Sequence, residues 1–301
     1  MKYSIIDIGS NSMRLTLYES DGDSFKILFR EKVMAGLAGY VEDGILSTEG
    51  IACACYGLLT FKHMLDSLGL PEPHVFATAS LRNIANSQSA LAEIKNVTGF
   101  VIEVLSGREE ALLGYAGAMK ELSITGGAFI DIGGASTELV TFDNSKPIES
   151  VSFNVGSLSL YKSCVKHIIP GSGSQKRINK MIKEEIDDTG MLPREKHSPI
   201  IGVGGTSRAV MKLSRKVFGL SESCSHITAE QLEALCGILF KGDKAAANLI
   251  LKLEADRIHT MIPGIMILHH IFTAFDADEL IVSKYGVREG YLCQKVLKCT
   301  Q

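Results

Sequence analysis

The run from Asp131 to Glu138, Asp-Ile-Gly-Gly-Ala-Ser-Thr-Glu, sets two carboxylates on either side of a glycine turn. Successive backbone N–H groups in such a turn can form a concave nest for an anion, and a carboxylate beside it can hold a metal ion. That pairing is the outline of a phosphate site. Gly133 and Gly134 allow positive φ and leave room for a ligand to approach the backbone. The same device opens the chain as Asp7-Ile8-Gly9-Ser10-Asn11-Ser12. Aligning Asp7 on Asp131 puts Gly9 on Gly133, Ser12 on Ser136 and Leu15 on Leu139, and it sets Arg14 on Glu138. Two such hairpins, each opening a segment of domain size, predict an internal duplication with a ligand cleft between the halves.

Other stretches could join that chemistry. Ser106-Gly107-Arg108-Glu109-Glu110 reads as the opening of a helix that continues to about Glu121. Acids in a first helical turn complement the helix dipole, and neighbours in sequence cannot share a helix face, so at most one of this pair points into a cleft. Gly202-Val203-Gly204-Gly205-Thr206 follows a short apolar strand from Pro199 and precedes a helix from Ser207 to Val217, an order that favours anions at a helix N-terminus. Lys176, Arg177 and Lys180, then Arg208, Lys212, Arg215 and Lys216, are either a local basic surface for a polyanion or solvated helix faces. His259, His269 and His270 lack a partner set for zinc, and the seven scattered cysteines read as buried or reduced thiols.

The elements that must position these groups alternate between strand and helix. Tyr3 to Ile6 and Met13 to Tyr18 flank the first turn, and Phe25 to Met34 is a third strand. Leu46 to Leu68 has helical apolar spacing, with Ser47 or Thr48 as N-cap and Pro71 and Pro73 beyond its end. His74 to Thr78 and Val101 to Leu105 read as strands, Ser80 to Ala85 as a helix start carrying Arg82, and Ser87 to Val97 as a helix. The second hairpin repeats the scheme: Gly127 to Ile130, Thr137 to Phe142 and Ile148 to Asn154 are strands, and Gly156 to His167 is a helix. Pro170 to Ser174 reads as a Gly/Ser-rich loop before a helix from Gln175 to Asp188, and 191–198 as a surface loop. The last hundred residues read as mainly helical. They include amphipathic helices at Thr228 to Phe240 and Pro263 to Phe275, one strand at Leu280 to Ser283 and a closing helix from Gly286 to Cys299. The class is α/β.

At 301 residues, 46% hydrophobic and 22% charged, the composition is that of a soluble globular protein with room for two domains. No segment approaches the roughly 20 uninterrupted apolar residues of a membrane helix, and no basic region with a long apolar core opens the chain. A cytoplasmic protein without a membrane partner is expected. The net charge of -3 argues against a general nucleic-acid binder.

Taken together and in order, six motifs resemble the Ppx/GppA exopolyphosphatase and guanosine pentaphosphate phosphatase family over essentially the whole chain. They are Asp7 to Ser12, Ala77-Thr78-Ala79-Ser80-Leu81-Arg82, Ser106-Gly107-Arg108-Glu109-Glu110-Ala111, Asp131 to Glu138, Gly202 to Thr206, and Gly286-Val287-Arg288-Glu289-Gly290. The resemblance implies a duplicated actin/Hsp70/sugar-kinase-like (ribonuclease H-like) two-domain fold with an interdomain cleft. The expected domains are 1–121 and 122–301, with a last helix that could pack back on the first. It also implies release of the terminal phosphate of inorganic polyphosphate or pppGpp with a divalent cation, usually Mg2+. On that resemblance Glu110 is the base that activates water, and Asp131 and Glu138 support the metal. Gly9, Ser10, Asn11, Arg82, Gly133, Gly134, Ala135, Ser136, Gly204, Gly205 and Thr206 would hold substrate. Ala135 stands where many members carry a third glycine, and the C-terminal helical domains of longer members have no counterpart here. Short polyphosphates and pppGpp are therefore both in view, and a homodimer is compatible. The competing readings are a kinase or ATPase of the same superfamily and a nucleotide sensor without turnover. Glu109-Glu110 in its Ser-Gly context favours the phosphatase.

Overall fold

A computed structural model describes the chain except for residues 23, 188, 189, 191, 193–195 and 299–301. Much of the stretch read as a surface loop at 191–198, and the end of the closing helix, lie outside the described residues. The chain forms two compact units, Met1–Glu110 together with the chain from Tyr291 onward, and Ala111–Gly290.

In unit 1, β1 (Lys2–Ile8), β2 (Met13–Asp21) and β3 (Ser24–Val33) make an antiparallel meander. A ribbon of β4 (Val41–Glu42) and β5 (Ile45–Leu46) follows. Then come α1 (Thr48–Ser67), β6 (His74–Ala77), α2 (Ala79–Arg82), α3 (Ser87–Thr98) and β7 (Ile102–Val104). β6 runs parallel to β1 and β7 parallel to β6, so the sheet order is β3-β2-β1-β6-β7. Ile6, Ile8, Met13 and Leu15 share one core with Ala54, Leu58 and Phe61 of α1 and Ile94 of α3. Because side chains alternate along a strand, Asp7 is turned to the opposite face. Ser47 caps α1, its hydroxyl accepting the Gly50 N–H.

α4 (Gly107–Met119) carries the chain into unit 2, where the scheme repeats. β8 (Gly127–Ile132), β9 (Thr137–Asp143) and β10 (Lys146–Phe153) form the meander, followed by α5 (Ser157–Cys164) and α6 (Ser172–Ile182). Next are β11 (Ile200–Val203), α7 (Gly204–Phe218), β12 (His226–Thr228), α8 (Ala229–Leu239), α9 (Lys244–Glu254) and α10 (Met261–Ala274). β13 (Glu279–Val282) and α11 (Val287–Tyr291) complete it, and a turn of π-helix at Leu292–Val296 returns to unit 1. The sheet order is β10-β9-β8-β11-β13-β12, with β8, β11 and β13 parallel. Its first five strands therefore copy the order and directions of unit 1. This is the duplicated actin-like arrangement, an α/β fold built twice.

Ala128, Ile130 and Ile132 face the larger core under α5, α6, α7, α8 and α10. Phe129, Val140 and Phe142 face the other way, onto Ala111, Tyr115 and Ala118 of α4. Asp131 lies on that second face, one step beyond Phe129 toward the strand end. Two readings need correction. Ser172 to Ser174 are the first turn of α6 rather than loop, since small polar residues are acceptable in a first helical turn once Gly171 has entered it in extended conformation. β12 is a second strand in the last hundred residues, and with three residues it is too short to show alternation. Among the described residues no helix is long and apolar enough to cross a membrane.

α4 and α11 meet backbone to backbone. A Cβ on Gly117 would overlap the Gly286 carbonyl, and one on Gly290 would overlap the Leu113 carbonyl. Neither side can yield, so Gly290→Ala should lower the thermal midpoint by roughly 5 °C or more, from about 2–3 kcal/mol of overpacking. Gly173→Ala on α6, where the nearest atom is the end of the Arg177 side chain at 3.9 Å, should leave it unchanged or raised. Circular-dichroism melts of the two variants test the contrast.

Candidate functional site

The first turn of unit 1 is closed by the Gly9 N–H donating to the Ser12 carbonyl at 3.2 Å. Behind it the Ser10 carbonyl accepts the Ala38 N–H, and the Asn11 carbonyl accepts the Gly36 N–H, each at 2.9 Å. The C=O and N–H of a trans peptide point in opposite directions. Holding these two carbonyls therefore aims the N–H groups of Asn11 and Ser12 the other way, as an anion nest requires. The Ser80 hydroxyl donates to the Ile8 carbonyl at 2.6 Å, which ties the short helix α2 that carries Arg82 to the same turn.

Arg82 Nη1 donates to the Leu105 carbonyl at 3.1 Å and to Glu110 Oε2 at 2.6 Å, with both side chains largely buried. The Ser106 hydroxyl accepts the Glu109 N–H at 3.2 Å. In return Glu109 Oε2 accepts the Ser106 N–H at 2.9 Å and the Ser106 hydroxyl at 2.8 Å. This reciprocal pair is a capping box at the start of α4. The bonds from Ser106, backbone first, hold the Glu109 carboxyl below the usual carboxylate range. The two adjacent acids thus divide their work. Glu109 closes the helix end, and Glu110 is turned onto Arg82.

In unit 2, Asp131 and Glu138 are direct cross-strand partners of β8 and β9, which puts both carboxylates on one side of the hairpin. Glu138 is 1% exposed and accepts the Ser152 hydroxyl at 2.8 Å. Gly133 N–H donates to the Ser136 carbonyl at 2.9 Å. The Gly133 carbonyl accepts the Ser157 N–H, and the Gly134 carbonyl accepts those of Leu158 and Ser159, all at 2.9 Å. The first turn of α5 thus claims two carbonyls, and the N–H groups of Gly134 and Ala135 point away from it. At the aligned positions Ser10 and Gly134 the carbonyl is held, and at Asn11 and Ala135 the N–H is presented.

Gly133 and Gly134 do not adopt positive φ, contrary to the expectation from sequence. Space is what excludes side chains nearby. A Cβ on Gly156 would lie 2.5 Å from the Gly134 carbonyl carbon and the Ala135 nitrogen. Positive φ occurs instead at Gly204, φ 76°, where a Cβ would overlap the Asp131 carboxylate. The helix of the third glycine motif starts at Gly204 rather than Ser207, so this close approach sets Asp131 against the first turn of α7. Thr206, expected at a ligand, is 3% exposed and donates its hydroxyl to the Ile132 carbonyl at 3.1 Å, so its side chain pins α7 to β8.

Arg257 was not singled out by the sequence. Its guanidinium lies over Gly205, where a Cβ would overlap it, and Nε stands 3.6 Å from Glu254. Burial pulls the Arg257 pKa down, while Glu254, Asp256 and Asp131 push it up. Glu254-Ala255-Asp256-Arg257 carries no motif, and the readable signal was the glycine pair that must admit something large. The basic clusters are mostly spent on the fold. Arg177 donates to the Cys164 carbonyl, Lys212 to Leu253 and Glu254, and Arg215 to Cys224. His269 and His270 pair separately with Glu233 and Asp187 at 2.6 Å.

Asp131 and Glu138 fit a hard divalent cation, since Mg2+ takes one or two carboxylates and fills its remaining positions from substrate oxygens and water. Among the described residues no group of three or more His, Cys, Asp or Glu is gathered for a metal.

The model of the Ppx/GppA phosphatase family matches residues 16–299. The chain belongs to this family. A Haemophilus influenzae relative named as a candidate exopolyphosphatase is 28% identical over 290 residues, covering 95% of this chain and 89% of its own. The crystal structure of the Aquifex aeolicus Ppx/GppA family member is similar with a TM-score of 0.80 at 25% identity, over 100% of this chain and 99% of that one. An exopolyphosphatase from Cytophaga hutchinsonii shares the fold with a TM-score of 0.85 at 20% identity, over 100% and 99% of the two chains. As a Ppx/GppA member the chain is a phosphohydrolase.

Gly205→Ala should displace the Arg257 guanidinium without disturbing the core, because the atom in the way is the far end of a flexible side chain. With Arg257 read as a contact to substrate phosphate, losing that charge-assisted contact, worth about 1.5–3 kcal/mol, should raise KM about tenfold or more at an unchanged melting midpoint. Steady-state phosphate release beside a thermal melt measures both.

Proposed function

We propose that the chain is an exopolyphosphatase that releases the terminal phosphate of inorganic polyphosphate by in-line attack of water. The observation that carries this reading is the division between Glu109 and Glu110. The cap consumes one carboxylate, and the other is held by Arg82 at a helix start, where a water-activating base is needed. Phosphoryl transfer asks little covalent chemistry of a protein, so positioning and charge neutralisation supply most of the rate. Glu110 accepts the proton of the attacking water, and Arg82 keeps its carboxylate in one orientation. Each turn by itself presents N–H groups suited to non-bridging oxygens, Asn11 and Ser12 in unit 1 and Gly134 and Ala135 in unit 2, and within unit 2 Arg257 would offset negative charge.

Asp131 and Glu138 would hold a divalent cation, which supplies neutralisation of the phosphate charge when bound. Like charges directly opposite on neighbouring strands are destabilising. The equivalent pair in unit 1 is Asp7 and Arg14, which is neutral overall. In unit 2 Glu138 stands at the arginine's position, so this hairpin pairs two carboxylates of the kind a divalent cation takes. Polyphosphate is preferred because the relatives from Haemophilus influenzae and Cytophaga hutchinsonii bear exopolyphosphatase names. pppGpp presents the same terminal phosphoanhydride and is the alternative substrate.

Short and long polyphosphate, pppGpp and ATP, offered side by side with Mg2+, should show phosphate release from polyphosphate. Glu110→Gln should lower turnover roughly 100-fold or more, the usual scale for a lost general base. Undiminished turnover in that variant removes the role from Glu110, and release from ATP alone favours the kinase or ATPase reading.

A further inference from the structure

We propose that Lys295, aided by Tyr291, is a positioning residue for Glu110, acting through the capping carboxylate next to it. The proposal rests on the reading of Glu110 as the base. Glu110 stands in the first turn of α4, so its place depends on how firmly that turn is held. Ser106 grips Glu109 through Oε2, and the other oxygen, Oε1, accepts from Lys295 Nζ at 3.3 Å. The same Nζ donates to Glu103 Oε1 on β7 at 2.9 Å. Glu103 Oε2 accepts the Tyr291 hydroxyl at 2.7 Å, and the Tyr291 ring stacks on Phe76 of β6, with centroids 4.8 Å apart and planes 27° from parallel. Tyr291 and Lys295 are thus fastened to two strands of their own unit, and from there Lys295 reaches the helix cap.

The charges in this network reinforce one another. Burial alone would raise the Glu103 pKa, but the bonds from Tyr291 and Lys295 bring it below its ordinary value. Lys295 is raised, first by its bond to Glu103. Burial, together with Glu103, raises Tyr291, so its hydroxyl stays a donor. One cation therefore separates two carboxylates. Without it, Glu103 and Glu109 repel, and Glu109 is drawn off Ser106. The partners of Lys295 are too exposed for the pairs to contribute much to stability. Turnover is the sensitive quantity, because a displacement of about 1 Å at a reacting group can cost up to roughly 100-fold in rate.

Lys295→Met should lower kcat about tenfold, with KM and the melting midpoint close to wild type, and Lys295→Arg should recover most of the loss. Tyr291→Phe should give a smaller fall of the same kind. In a Glu110→Gln background, Lys295→Met should cost nothing further, because the group it positions is gone. An equal loss in both backgrounds, or a Lys295→Met enzyme with wild-type kcat beside an inactive Glu110→Gln, overturns the positioning role and leaves the base in place. Full activity of Glu110→Gln overturns the base reading and this proposal with it.

Discussion

A trans peptide cannot offer its carbonyl and its N–H to the same side, and the two glycine turns of this chain depend on that restriction. In unit 1 the Ala38 and Gly36 N–H groups take the carbonyls of Ser10 and Asn11. In unit 2 the first turn of α5 takes those of Gly133 and Gly134. Different partners produce one result, a pair of N–H groups turned outward. Much of the surrounding sequence serves the carbonyl side of this arrangement. Gly156 has no side chain because the Gly134–Ala135 peptide occupies the space, and the Ser157 hydroxyl adds a second bond to the Gly133 carbonyl at 3.0 Å.

The duplication is close in topology and deliberately unequal in charge. Both meanders run antiparallel into a parallel pair, and both aspartates stand on the face away from the larger core. Across the hairpin, however, Asp7 meets Arg14 and Asp131 meets Glu138. A pair of opposite charges is neutral as it stands, whereas two carboxylates opposite one another carry charge of a single sign. Ser152 and Arg257 answer part of that charge with a neutral donor and a neighbouring cation.

The fold was legible wherever burial imposes a period. α1 with its Ser47 cap and the half-buried strands follow from helical spacing or apolar alternation, while β8 and the strand before Gly204 show as short apolar runs because both of their faces lie in cores. Short elements such as β12 and the first turn of α6 carry too few residues for a period to show. At the site, residue types were legible, and the choice of Glu110 over Glu109 came from the family resemblance rather than from the residues' own spacing. Ser106 and Glu109 have the spacing of a capping box, yet the sequence alone leaves either glutamate free to face a cleft. Arg82, which decides between them, is 28 residues from Glu110. Arg257 and Lys295 were invisible for the same reason, since each acts on a partner far away in sequence and belongs to no motif.

These long-range partners also explain why adjacent glutamates are useful at this position. A carboxylate on an unanchored helix end would fray with the first turn, whose N–H groups have no partners within the helix. Assigning the cap to Glu109 removes that freedom and leaves the next side chain about 100° further round the helix, on a different face. Arg82 then meets Glu110 while also donating to Leu105, the residue that leads from β7 into the turn. The strand end, the helix start and the carboxylate are therefore fixed to one another by a single guanidinium.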